Sequence, residues 1–99
     1  MKNNYLSIIG LAYRAGKCSL GEDIIVNDIR KNRAKLVLLA DDIGTRTRKK
    51  LINKCETYDV PFVFVEDRET LSNAIGKTQR VAAAILDDGF ATKIQSLLR

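Results

Sequence analysis

Hydrophobic residues along the chain alternate between helical and extended spacing, which predicts nine elements in the order αβαβαβαβα. Continuous apolar runs at 36–40, 61–65 and 81–86 predict three strands, and the short segment 18–20 predicts a fourth. Stretches of helical spacing separate and flank these runs. Such alternation favours a mixed four-stranded central sheet covered by helices on both faces, which is a three-layer α/β/α sandwich.

Capping residues mark the ends of the predicted helices. The predicted N-terminal caps are Asn3 or Asn4, Thr45 and Asp67, and the predicted C-terminal stops are Gly16, Asn32 and Gly76. The third predicted helix has apolar residues on one side and basic residues on the opposite side. Its apolar side has Leu51, Ile52, Cys55 and Tyr58, and its opposite side has Arg46, Lys49, Lys50 and Lys54.

Length and composition indicate one domain over residues 1–99. The 99 residues are 45% hydrophobic and 29% charged, which is typical of a soluble globular protein and not of a disordered chain. The apolar runs are far too short to cross a bilayer. The first ten residues lack the pattern of a secretory signal peptide, so we expect a cytoplasmic protein.

Residues that would support catalysis or a cofactor are scarce. There is no histidine, and the two cysteines lie far apart at Cys18 and Cys55, which supports neither a zinc site nor a disulfide framework. Phosphate-loop, dinucleotide-binding and serine-nucleophile motifs are missing. The acidic pairs at 41–42 and 87–88 follow predicted strands, where capping and turn formation are their expected roles. We therefore expect a non-enzymatic protein without a cofactor or metal.

Charge is unevenly distributed along the chain. The net charge is +5, but residues 30–54 hold nine basic and two acidic residues, a local net charge of +7 that leaves −2 for the rest. Localised positive charge favours polyanionic partners through steering and counterion release. A glycine-opened turn at Gly21 leads directly into the second helix. Backbone N–H groups and the positive end of the helix dipole there suit an anion.

The segment 14–42 resembles the kink-turn-binding ribosomal protein superfamily, the archaeal L-seven-Ae type and the eukaryotic large-subunit protein thirty. Gly21 matches the family glycine that opens the helix, and residues 34–37 match the tract that leads into the central strand. The segments 16–21 and 76–81 resemble the eukaryotic ribosomal branch. The resemblance spans nearly the whole chain and is greatest to short bacterial YlxQ-type members.

This resemblance implies structured RNA as the partner, on the ribosome or in RNA processing. In the family, the loops that correspond to 17–22, 41–45 and 76–80 cluster at one sheet edge and hold a kinked internal loop with sheared G·A pairs. Backbone amides of Gly21 and Glu22 would then approach the RNA, and Gln79 would add a hydrogen bond. The implied phosphate contacts are Lys17, Lys35 and Arg80, and the implied contacts to base edges or sugars are Asp23, Asn27 and Asp42.

Three positions depart from the family pattern after the glycine. Asp23, Ile24 and Asn27 stand where the family has an Asn and a Glu that bind base edges and a Lys that contacts the backbone. Ile24 cannot hydrogen-bond, and Asn27 cannot neutralise a phosphate. These departures favour an alternative, in which the protein keeps the fold but acts as a protein-interaction adaptor in translation or RNA processing.

Overall fold

The computed structural model describes residues 5–98, which form five helices and four strands in the predicted order. The helices are α1 (Tyr5–Arg14), α2 (Glu22–Arg30), α3 (Thr45–Thr57), α4 (Arg68–Ala74) and α5 (Asp88–Leu98). The strands are β1 (Cys18–Leu20), β2 (Leu36–Ala40), β3 (Phe62–Val65) and β4 (Ala82–Ile85). Every predicted strand is therefore present.

The four strands form one mixed sheet in the order β1-β4-β2-β3. Strand β4 is antiparallel to both of its neighbours, β1 and β2, whereas β2 and β3 are parallel. The central strand β2 is buried along its whole length, as its continuous apolar run predicts. The edge strand β3 begins directly after Pro61, whose carbonyl accepts a hydrogen bond from Val37 at 3.0 Å. At this position the missing N–H of proline costs no pairing.

Side chains of the sheet alternate between two cores. Leu36 and Leu38 pack with α1, α4 and α5, whereas Val37 and Leu39 pack with α2 and α3. Because successive side chains of a strand point to opposite faces, both faces of the sheet are apolar and each is covered by helices. The predicted three-layer α/β/α sandwich with a mixed four-stranded sheet is confirmed.

Helix ends follow the predicted signals at most positions. Gly16, Asn32 and Gly76 adopt positive φ angles of 75°, 60° and 70° after α1, α2 and α4. The side chain of Asp67 caps α4 by accepting a hydrogen bond from the N–H of Thr70 at 2.8 Å. The predicted cap at Asn3 or Asn4 lies outside the described residues.

Two predictions about α3 are wrong. The N-terminal cap is Gly44, and Thr45 is the first helical residue. The side chain of Ile43 is buried in the core formed with α2 and α3, so the chain has already turned inward before Thr45. Tyr58, predicted on the core side, is 38% exposed because the helix ends at Thr57 and the chain turns away.

No helix among residues 5–98 is both long and apolar enough to span a membrane.

Candidate functional site

Parts of all three segments predicted to cluster meet at one end of the sheet, which we call the Gly21 end. Antiparallel pairing places the C-terminal ends of β1 and β2 beside the N-terminal end of β4, with Leu20 opposite Ala83 and Leu39 opposite Ala82. The turn at Gly21, the loop 41–44 and the loop 76–80 therefore come together there. This part of the predicted site is assembled by the strand directions alone.

Lys17 and Lys35 lie at the opposite end of the sheet, contrary to the prediction that they would join this cluster. The carbonyl of Lys17 accepts a hydrogen bond from Leu86 at 2.8 Å, and the N–H of Lys35 donates to the carbonyl of Ile85 at 2.7 Å. Strand β1 separates Lys17 from Gly21 by four residues, roughly 13 Å of extended chain. Lys17 and Gly21 are close in the sequence but far apart in the fold, because β1 runs between them from one end of the sheet to the other.

Gly21 opens α2 with a backbone conformation that requires glycine. Its φ and ψ are 94° and 132°, outside the regions accessible to residues with a Cβ. A Cβ built at this position would meet Ile24 Cδ1 at 3.8 Å, which is an ordinary contact. The glycine is therefore demanded by the backbone angle and not by lack of space.

Glu22, the first residue of α2, is held by side chains of α3. Its Oε1 accepts a hydrogen bond from Thr47 Oγ1 at 3.1 Å, and its Oε2 lies 2.9 Å from Lys50 Nζ. The hydrogen bonds from Lys50 and Thr47 lower the pKa of the Glu22 carboxyl. The pairing with Lys50 offsets a negative charge that would otherwise repel an anion from the N–H groups at the start of α2.

The first two turns of α2 present a mixed surface to solvent. The side chain of Asp23 is 96% exposed, with Oδ1 3.8 Å from Lys50 Nζ. Ile24 is 57% exposed, and Asn27 is also exposed. Polar groups for hydrogen bonding thus lie on either side of an uncovered apolar side chain.

The loop 76–80 is shaped by its own backbone and by a buried serine of α4. Gln79 is exposed and adopts a positive φ of 57°. Ser72 Oγ accepts a hydrogen bond from the N–H of Arg80 at 2.9 Å and donates to the Arg80 carbonyl at 3.3 Å. The two bonds fix the backbone from which the Arg80 side chain projects.

These parts enclose an open cavity of about 170 Å³, which we call the cradle. Its lining residues are Gly21, Glu22, Ile25, Thr47, Leu51, Gln79, Arg80, Val81 and Ala82. Four of the predicted site residues, Gly21, Glu22, Gln79 and Arg80, therefore share one surface. The Nε of Arg80 is buried, and no hydrogen-bond acceptor for it exists among residues 5–98.

Asp42 lies at the Gly21 end, but its oxygens are already engaged. Asp42 Oδ1 accepts a hydrogen bond from the N–H of Arg68 at 2.9 Å, and Oδ2 accepts one from Arg68 Nε at 3.3 Å. The carbonyl of Asp42 accepts a third from Arg68 Nη2 at 2.6 Å. Its observed contacts tie the loop 41–44 to the start of α4, which agrees with the turn-forming role expected for this acidic pair.

Three contributors to this site were not identified from the sequence. Thr47 and Lys50 reach the start of α2 from α3, and the basic side of α3 was the available signal for Lys50. Ser72 gave no signal beyond its position in a predicted helix, because only the fold brings it to the loop 76–80. Within the described residues, no group of three or more His, Cys, Asp or Glu side chains is arranged to hold a metal ion.

Comparisons with known proteins show which family the chain resembles along its length. Residues 4–95 match the sequence profile of the Ribosomal protein L7Ae/L30e/S12e/Gadd45 family. The chain is 48% identical to the RNA-binding protein YlxQ of Bacillus subtilis over 94 residues, which cover 95% of this chain and 94% of that protein.

Solved structures show the same fold. A Bacillus halodurans C protein described as having unknown function superposes with a TM-score of 0.93 at 38% identity and covers 98% of both chains. The Giardia lamblia 15.5kD RNA binding protein superposes with a TM-score of 0.81 at 20% identity, over 94% of this chain and 80% of that one.

Proposed function

The chain belongs to the Ribosomal protein L7Ae/L30e/S12e/Gadd45 family, and from this premise we propose that it is a non-enzymatic RNA-binding protein. Its partner is structured RNA with a kink-turn or a similarly bent internal loop, in the cytoplasm and in association with the ribosome. The name of the Bacillus subtilis relative, an RNA-binding protein, supports the RNA part of this proposal. The cradle at the Gly21 end is the surface to which we assign the RNA.

The buried Nε of Arg80 is the observation that carries this assignment. A buried donor left without an acceptor costs about 1–3 kcal/mol, so proteins rarely retain one. Arg80 lines the cradle together with Gly21 and Glu22 at the start of α2. RNA that binds in the cradle and shifts the Arg80 side chain would give this donor a phosphate or base oxygen as acceptor, and the guanidinium would neutralise charge at the same time.

The remaining contacts follow from what each group offers. Backbone N–H groups at the start of α2, left without intrahelical partners as in any helix, approach the RNA backbone where Gly21 has no side chain. Gln79 hydrogen-bonds at the bend, and Asp23 and Asn27 face base edges or sugars. Lys17 and Lys35 lie at the other end of the sheet, so we assign them no contact with RNA in the cradle.

Titration of a fluorescent RNA tests recognition by shape. We expect tighter binding to a kink-turn RNA than to a copy with disrupted G·A pairs or to a plain duplex, each measured at several salt concentrations. Equal affinity for all three RNAs would overturn kink-turn recognition. Co-sedimentation of the protein with ribosomal particles, and its loss when kink-turn RNA is added in excess, tests the proposed association.

The role of Arg80 is tested by Arg80→Gln in the same titration. We expect weaker binding and a salt dependence shallower by about 1 in log–log slope, as loss of one phosphate contact predicts. Lys93→Gln is the matched control, because Lys93 is exposed on α5 in the opposite helix layer. Identical binding of the two variants would exclude Arg80 from the contact.

The exposed Ile24 favours the second candidate, a protein-interaction adaptor. An isoleucine that is 57% exposed beside the cradle offers apolar area that a protein partner would bury and that gives no hydrogen bond to RNA. This candidate predicts that co-purifying proteins survive nuclease treatment and are lost with Ile24→Asp. Under the RNA proposal, nuclease releases them.

A further inference from the structure

Helix α3 is the most basic of the five described helices. Helix α3 has five basic residues and one acidic residue, whereas α1, α4 and α5 together have three basic and two acidic ones. Its basic residues are Arg46, Arg48, Lys49, Lys50 and Lys54. All but Lys54, which is half-buried, are exposed. We call the exposed side of this helix the α3 face.

Most of this charge has no partner within residues 5–98. Lys50 alone among the five forms ion pairs, with Glu22 and Asp23, and Arg48 lies over the ring of Phe64 at 5.5 Å from its centre. Arg46 and Lys49 form no ion pair with any described residue. Two exposed cations, one helical turn apart, therefore face solvent side by side.

The order of charges along α3 does not serve the stability of the helix. No acidic residue is present in its first turn, and four of its cations lie in its first six residues. Cations near a helix N-terminus are disfavoured by the helix dipole. Helix α2 shows the opposite and favourable order, with Glu22 and Asp23 first and Arg30 last. Two of these four cations, Arg46 and Lys49, have no compensating ion pair or ring contact among residues 5–98. A local rule broken in this way is expected where a surface serves binding.

The α3 face is continuous with the cradle. Thr47 lines the cradle, and both Thr47 and Lys50 contact Glu22 at its rim. From there the 13 residues of α3 extend away for roughly 20 Å at 1.5 Å per residue. An RNA held in the cradle would therefore have one of its flanking stems beside this helix.

We propose that the α3 face is a second RNA contact, which binds the phosphate backbone of a duplex stem that leaves the bend. This inference rests on the proposed function, because the cradle sets where the stem begins. Arg46 and Lys49 provide the contact through charge, so it is independent of the stem sequence. Recognition is then divided: the cradle selects the bend, and the α3 face responds to the length of the stem.

The test combines the wild-type protein and two double variants with three RNAs. The variant Arg46→Gln/Lys49→Gln removes two charges from the α3 face, and Arg14→Gln/Lys93→Gln removes two from exposed residues of α1 and α5 in the other helix layer. Each is titrated with a kink-turn RNA that has two long stems, and with copies in which one stem or the other is cut to a few base pairs. Thermal unfolding of both variants checks that they fold.

We expect the α3 variant to bind the long-stem RNA at least about five-fold more weakly, with a log–log salt slope shallower by about 1.8 for two lost phosphate contacts. Shortening one of the two stems should weaken RNA binding by the wild-type protein by a similar factor. The affinity of the α3 variant should be almost the same for the long and the shortened RNA. The control variant should follow the wild-type protein on every RNA.

Two results would overturn this inference: equal losses for the α3 variant and its control, or a loss for the α3 variant that is the same on long and short stems. Failure of the proposed function gives a different result. A wild-type protein that binds bent and plain RNA equally contradicts recognition in the cradle, while the stem-length comparison still tests the α3 face. A wild-type protein that binds no RNA would overturn both proposals.

Discussion

At the scale of single residues, the start of α2 depends on one backbone conformation. Gly21 has a φ of 94° and a ψ of 132°, and a Cβ there would make no contact closer than 3.8 Å. Gly21→Ala should therefore lower the free energy of unfolding by about 1–3 kcal/mol through backbone strain alone. Chemical denaturation measures the change.

Gly44→Ala is the matched control for this prediction. Gly44 has a φ of −64° in the extended region, and a Cβ added there would meet no atom within 4 Å. Alanine loses less entropy on folding but is a poorer helix cap than glycine, and these effects oppose each other. We expect little net change. Equal stability of Gly21→Ala and the wild-type protein would contradict the strain argument.

Only some residues of the site could be predicted from the sequence. The family resemblance implies Gly21, Glu22, Gln79 and Arg80 as RNA contacts, and the structure places all four around one cavity. Their contact with RNA stays a prediction. Lys17 is only four residues from Gly21 in the sequence, but the extended strand β1 between them places it at the other end of the sheet. Ser72 was missed because its contact with Arg80 depends on two elements packing together.

At the scale of elements, Glu22 links the start of α2 to α3, and its ionisation controls that link. The hydrogen bonds from Lys50 and Thr47 lower the pKa of Glu22 in the folded protein below its value in the unfolded chain, about 4.3. Its stabilising effect is therefore complete above the unfolded value and is lost as the pH falls through the folded pKa.

Glu22→Gln should accordingly lower the unfolding midpoint at neutral pH, and the difference from the wild-type protein should disappear in strong acid. Thermal unfolding followed by circular dichroism across this pH range measures it. Glu56→Gln is the control, since Glu56 is an exposed residue of α3 that forms no ion pair with any of residues 5–98. A constant difference at every pH would show that Glu22 acts through packing instead of charge.

Element boundaries were predictable wherever a local signal dominates. The apolar run of β2 and the cap at Asp67 are such cases, because each depends on residues adjacent in the chain. The start of α3 was not predictable in this way. Thr and Gly are about equally favourable as N-terminal caps, so residue type does not decide between Gly44 and Thr45. Ile43, directly before them, is buried, and burial is a property of the packed layers.

At the scale of the whole molecule, the reactivity of the two thiols depends on whether the sandwich is folded. Burial raises the pKa of Cys18 and of Cys55 from 9.0 to about 11, with the charge of Glu56 adding to the effect at Cys55. Near pH 8 the reactive thiolate is then about 100-fold scarcer than in an unperturbed cysteine. Such a low thiolate content is typical of cysteines that serve as packing residues.

A thiol-specific reagent at pH 8 should therefore react slowly with the folded protein and rapidly with two thiols per chain in denaturant. The variant Cys18→Ser separates the two sites, because the remaining signal then comes from Cys55 in α3. Rapid reaction of either thiol without denaturant would show that its layer opens locally.

Arg48 of α3 lies against the exposed edge of the sheet. Strand β3 is an edge strand, and its Phe64 is 42% exposed. Such an edge invites a second chain to add a strand, which is the first step of aggregation. The guanidinium of Arg48 lies over the Phe64 ring and places a full charge there. Crowded copies of this protein would repel one another at the point where they are most prone to join.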